Sequence, residues 1–180
     1  ITFDAQGGTT TLNSLSVIYG SNQNNKLDTN LNPTKVGYTF DGWFDAPTGG
    51  NQVYKVSNGS CIKGAYWTNP WDVNGKGATW QYTNNVTLYA HWTPNTYTVN
   101  FNANGGEVAP TSTSVIFDKT YGTLPTPTRT GYTFLGWYTD SVNGNKVESS
   151  TAVTIANTQT LYAHWTPNTY TVNFNANGGE

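Results

Sequence analysis

Apolar and polar residues alternate with a period of two along much of this chain, and the helical period is scarcely present. Over residues 97–103, Tyr97, Val99, Phe101 and Ala103 fall on one face while Thr98, Asn100 and Asn102 fall on the other. That alternation marks a strand with one buried and one wet side. Asn104-Gly105-Gly106 follows and supplies residues that tolerate the positive φ of a tight turn. A second strand is predicted over 112–118, with Val115 and Phe117 inward. Pro110, Pro125 and Pro127 then leave room for at most one helical turn near 119–124. In the third strand, Tyr132–Tyr138, strict alternation would separate Phe134 from Trp137; a bulge at Gly136 brings both inside. The last strand, TLYAHW, turns Leu161, Ala163 and Trp165 inward and Tyr162 and His164 outward.

The same words recur. Residues 87–107 repeat letter for letter as 160–180, ITFDAQGG at 1–8 matches VNFNANGG at 99–106, and GYTFDGWF at 37–44 matches GYTFLGWY at 131–138. The chain is therefore a tandem array, with module 1 over 1–93, module 2 over 94–166, and the first strand and turn of a third module over 167–180. The joint Thr166-Pro167-Asn168 is too short and too stiff for a floppy tether, so the array is expected to behave as a rod. Residues 168–180 are expected to pair with a strand, either of this chain or of another copy.

Composition narrows the function. Charged residues make up 10% of the chain and the net charge is -2, a field too weak to steer it onto nucleic acid or an anionic membrane. No apolar run nears the roughly 18 residues of a membrane span. Methionine is absent and no signal peptide is visible, which reads as a slice of something longer. The single cysteine, Cys61, excludes an internal disulfide and favours an extracellular location of Gram-positive type. Modules this small are near the lower limit for an unaided core. Aromatics, at 14% of the chain, compensate, because each ring buries about 150–250 Å². The expected core aromatics are Phe40, Trp43, Trp92, Phe101, Phe134, Trp137 and Trp165.

GYTFxGWY, then TLYAHW, then YTVNFNANGG together resemble the Listeria–Bacteroides repeat, the family that includes the B repeat of listerial internalins. The resemblance implies a mainly β fold: tandem small β-grasp-like modules with mixed sheets and little or no helix. It also implies a place in multidomain proteins of the bacterial cell surface, between a ligand-binding head and a wall anchor, with no catalytic residues and no cofactor. Module 1 departs from the pattern. Trp43 to His91 spans 48 positions but Trp137 to His164 only 27, so about 21 residues are added within 53–83.

That insertion holds the only candidate ligand site. Tyr66, Trp67, Trp71 and Trp80 could stack on pyranose faces, or could close a small hydrophobic cluster that anchors the insertion. Other chemistry finds less support. His91 and His164 occupy one repeat position without a metal-binding motif, and read as structural or solvent-facing. Cys61 with Gln52 or Gln81 lacks a thioester signature, and reads as a buried or incidental thiol. A Lys–Asn isopeptide would need Lys119 or Lys146 with an acid such as Glu107, Asp118, Asp140 or Glu148, and has no motif either. Asn58 and Asn85 open sequons in form only. The expected function is a non-enzymatic stalk, spacer or fibre whose partners are neighbouring modules or other copies of the chain. The alternative is an adhesive module in which the insertion binds a surface glycan or host protein. Neither metal nor nucleic acid is expected as a partner.

Overall fold

The computed structural model describes residues 1–21, 31–57, 60–63, 79–175 and 177–179. The chain forms two compact units, Ile1–Asn95 and Thr96–Glu180. Among the described residues there are ten strands and no helix: β1 Thr2–Asp4, β2 Tyr38–Phe44, β3 Gln52–Ser57, β4 Ser60–Lys63, β5 Thr87–Pro94, β6 Thr96–Asn102, β7 Ser112–Ile116, β8 Tyr132–Tyr138, β9 Lys146–Val147 and β10 Gln159–Pro167. They make two mixed five-stranded sheets, ordered β1-β5-β2-β3-β4 and β7-β6-β10-β8-β9.

In each sheet the unit's first strand lies parallel to its last. Leu161 of β10 sits opposite Phe101 of β6, and Leu88 of β5 opposite Phe3 of β1. The remaining ladders are antiparallel. Unit 1 has no strand in the place of β7. Residues 13–15 run beside β1 instead, with Phe3 N donating to Asn13 O at 2.9 Å and Leu15 N to Ile1 O at 2.8 Å. The extra residues of unit 1 begin as a hairpin, because β4 pairs with β3 where unit 2 ends its sheet at the two-residue β9.

The bulge forms as the glycine implied. The β8–β10 register passes from Gly136 opposite His164 to Phe134 opposite Trp165, so Leu135 is the extra residue. In unit 1 the extra residue is Asp41. Gly42 and Gly136 sit at φ 147° and 142°, in the region that disfavours side chains. The slip brings Phe134 and Trp137 to one side, with ring centroids 5.6 Å apart, and Phe40 and Trp43 likewise at 5.5 Å. The helical turn allowed near 119–124 is replaced by a bridge between Thr120 and Ala152.

Each core is a chain of rings closed by indole hydrogen bonds. Trp137, 2% exposed, packs against Phe101 at 4.9 Å, and Phe134 continues to Trp165 at 5.5 Å. Trp43, Phe3, Phe40 and Trp92 repeat the pattern. Trp43 and Trp137 are fully interior, Phe101 is buried, and Phe40, Trp92, Phe134 and Trp165 pack against them as partly buried neighbours. Each indole N–H finds a carbonyl: Trp43 that of Leu31, Trp137 Pro125, Trp92 Ala5 and Trp165 Ala103, at 2.8–3.1 Å. A buried donor left unpaired costs about 1–3 kcal/mol, so these bonds fix where each ring sits.

The second glycine of each turn makes room for a tryptophan. A Cβ on Gly106 would stand 2.8 Å from Cζ2 of Trp165 and would also strike Thr128 O; on Gly8 it would stand 2.5 Å from Cζ2 of Trp92. The third copy of the turn shows how local its conformation is. Asn177 and Gly178 hold φ 51° and 88°, close to 48° and 89° at Asn104 and Gly105. Asn177 N donates to Asn175 Oδ1 at 2.9 Å, as Asn104 N does to Asn102 Oδ1. The strand expected to precede that turn is not formed over 169–175. Tyr170, Val172 and Phe174 are 72, 70 and 93% exposed, where Val99 and Phe101, the counterparts of the last two, are buried. A turn closes on its own side chains, whereas a strand needs a neighbour for its backbone.

Replacing Gly106 with Ala should therefore destabilise unit 2 by about 1–3 kcal/mol, the usual cost of overpacking. Urea unfolding followed by tryptophan fluorescence would show the lowered midpoint; an unchanged midpoint would mean that the indole is not seated on this glycine.

Candidate functional site

The outer faces of the two sheets carry the same row of side chains. In unit 2, Asn102, Tyr162, Tyr138 and Lys146 stand directly opposite one another on β6, β10, β8 and β9. In unit 1 the row is Asp4, Tyr89, Phe44 and Gln52. Beside each row the repeated histidine lies flat on the aromatic ring of the neighbouring strand. His164 stacks on Tyr138 with centroids 3.9 Å apart and a 9° interplanar angle; His91 stacks on Phe44 at 4.0 Å and 5°.

The stack aims Nε2 at the loop that follows the aromatic. His164 Nε2 donates to Asp140 O at 2.8 Å, and His91 Nε2 to Ala46 O at 2.9 Å. The imidazoles therefore work as clasps that fold the loops after β2 and β8 back over the sheet. Within the loop of unit 2, Asp140 Oδ1 accepts from Val142 N at 3.0 Å and Asn143 N at 3.3 Å. Those two backbone donors hold the Asp140 carboxyl below its ordinary value, against a smaller desolvation effect, with the charge of His164 adding least. In unit 1, Asp45 does similar work by accepting from Asn51 N at 2.7 Å.

A second repeated device braces the glycine turns. Lys35 Nζ lies 4.4 Å above the Tyr38 ring and donates to Gln6 O at 3.3 Å. Arg129 lies 3.8 Å above Tyr132 and donates to Asn104 O at 3.2 Å. Burial raises the Tyr121 hydroxyl above its ordinary range despite its 2.6 Å hydrogen bond to Gln159 Oε1.

Of the four aromatic residues expected to form a platform in the insertion, Trp80 is among the described residues. Trp80 is 2% exposed and a member of the unit 1 core. It stands eight residues before Leu88, as the buried Val153 stands eight before Leu161, and that shared spacing is the signal for its inward position. Tyr66, Trp67 and Trp71 lie outside the described residues, as does Asn58. Cys61 lies on β4 opposite Val56. Lys119 and Lys146 are exposed, and Lys146 pairs with Glu148 at 3.3 Å, so neither is the buried lysine that an isopeptide requires. Asn85 is exposed just before β5. Among the described residues, no group of three His, Cys, Asp or Glu could hold a metal ion.

The Asp140 clasp carries a pH dependence. A carboxyl depressed in the folded state contributes stability that is complete above its unfolded value and is lost as pH falls through its folded value. Asp140→Asn should therefore flatten the acid limb of the unit 2 melting-temperature profile below the ordinary carboxylate range, leaving neutral pH little changed because the group is exposed. Thermal melts of both proteins between neutral pH and strong acid would measure this; superimposable acid limbs would remove the assigned role.

Sequence comparisons agree with this architecture. The Listeria-Bacteroides repeat domain matches residues 1–65 and again 97–164, which divides at the insertion of unit 1. Internalin H of Listeria monocytogenes serovar 1/2a is 34% identical over 166 residues, covering 92% of this chain and 25% of that protein. A protein of Evansella cellulosilytica named as a membrane protein is 32% identical over 147 residues, covering 82% of this chain and 18% of its own length. The chain thus spans a quarter or less of these relatives. With both bulged residues and both glycine turns lying inside the matched residues, this chain belongs to the Listeria-Bacteroides repeat domain family.

Proposed function

We propose that this chain is part of a non-enzymatic array that serves as stalk or spacer in a surface protein of a bacterium, exposed outside the cell. The kinship with internalin H and with a membrane protein supports the surface location. The mechanical role rests on one observation, the parallel pairing of first and last strands in each unit. Because β6 and β10 run the same way, tension drawn from the start of β6 to the end of β10 pulls the two strands along each other. All the ladder bonds between them then carry load together, instead of opening one at a time as at the end of a hairpin.

The exits are braced as well. Asn95 N donates to Gly37 O at 2.8 Å and Thr39 Oγ1 donates to Asn95 Oδ1 at 2.6 Å; Asn168 N with Gly131 O and Thr133 Oγ1 with Asn168 Oδ1 repeat this at 2.8 and 2.7 Å. Load leaving β5 or β10 therefore meets a residue already tied to the strand that begins beside it. A second reading, adhesion through the insertion, has one observation in its favour. Tyr66, Trp67 and Trp71 fall in the insertion of unit 1, outside the family match, and have no counterpart in unit 2.

Single-molecule extension distinguishes the two. Pulled through its termini, each unit should rupture at several times the force needed when the same unit is held at Asn102 and Ser112, where the β6–β7 hairpin unzips. Comparable forces in both directions would refute the stalk. Binding to whole cells that disappears with Trp67→Ala and Trp71→Ala, in a protein that melts normally, would favour adhesion.

A further inference from the structure

In unit 1 a shallow groove of about 470 Å³ lies between the glycine turn and the loop folded back by His91. Gln6 and Lys35 form one bank, Pro47 and Thr48 the other, and Asp41 and His91 lie between them. Asp41 is the bulged residue of β2, and its Oδ2 accepts from the Thr93 hydroxyl at 2.8 Å. The groove therefore offers a carboxylate and an ammonium within one small space, beside the rings of Tyr38 and His91.

Unit 2 closes the corresponding opening. Asn104, the counterpart of Gln6, donates from Nδ2 to Ser141 O at 3.1 Å and to Ala163 O at 3.2 Å, which stitches the turn to the loop. By the repeat alignment those two carbonyls correspond to the carbonyls of Pro47 and Ala90, and both of these residues line the groove of unit 1. With glutamine in place of this asparagine, unit 1 lacks the residue that makes the stitch in unit 2.

We infer that this groove is a binding site for a neutral saccharide. A sugar's vicinal hydroxyls both donate and accept, which suits a carboxylate and an ammonium placed near each other. Its apolar C–H faces suit the proline of the wall. A net-charged ligand would meet repulsion from either Asp41 or Lys35. An extended peptide would add to an open strand edge, whereas this groove lies over β5, which is paired with β2 along its length. Recognition here is independent of the aromatic residues of the insertion and of the load-bearing role.

Titrating cellobiose, lactose and chitobiose into the ¹⁵N-labelled 180-residue chain tests the site. At least one should shift amide resonances confined to the glycine turn, Lys35, Asp41, the 46–49 loop and His91. Asp41→Asn should weaken that binding about tenfold or more, as loss of a charge-assisted hydrogen bond does. Gln6→Asn, which supplies the stitch of unit 2, should abolish it without lowering the melting temperature. The inference is overturned if none of the three sugars shifts these resonances at high millimolar concentration. It is equally overturned if the shifts survive both Asp41→Asn and a folded Gln6→Asn.

Discussion

The seat of the last-strand tryptophan against the second glycine of the turn is the contact on which each unit depends. Trp165 reaches across to the Gly106 backbone and donates to Ala103 O, and Trp92 does the same at Gly8 and Ala5. One side chain thereby ties the end of the module to its beginning, over 62 and 87 residues of chain. The turn must then approach the loop that carries Thr128 or Thr34, where a pair of backbone bonds closes the layer over the sheet. Only glycine permits that approach. The Phe–Trp–Phe–Trp series behind it fills a small core that contains no disulfide.

Because this contact uses residues present in both copies, the two units tolerate large differences elsewhere. Unit 1 replaces β7 with an irregular segment, lengthens its edge into the β3–β4 hairpin and places Trp80 where unit 2 has Val153. A tryptophan in the place of a valine fills more space, in a unit whose chain must also return from a longer excursion. The outer face varies more freely still. Asn102 becomes Asp4, Lys146 becomes Gln52 and Tyr138 becomes Phe44, while the histidine that clasps the loop is kept in both units. The copies thus agree on the inner face of the sheet and diverge in the outer loops and turns.

The extra residue at each bulge serves both sides. It turns Phe40 and Trp43, or Phe134 and Trp137, to the same interior, and it leaves Asp41 or Leu135 outside the register. In unit 1 that displaced residue is a carboxylate beside a groove; in unit 2 it is an exposed leucine beside a stitched turn. A single local irregularity therefore sets the core and, where the residue is polar, equips the surface.

The strands, their inward residues, the bulge at Gly136 and the fold of the glycine turns were written in the chain itself, because each depends on neighbours a few positions apart. Alternation selects a face, glycine permits a positive φ, and the Asn177 turn adopts its shape even where 169–175 has no strand partner. Family membership was equally plain from GYTFxGWY and TLYAHW. Other features required the folded molecule. The burial of Trp80 could have been inferred from its spacing to Leu88, but nothing near it in sequence distinguishes a core ring from an exposed platform. The flat stacking of His164 on Tyr138 and of His91 on Phe44, the stitch made by Asn104 and the groove beside Gln6 all join segments 24–59 residues apart. Which loop falls within reach of which turn is set by strand order and register, and those are decided only when the hydrophobic faces close on one another.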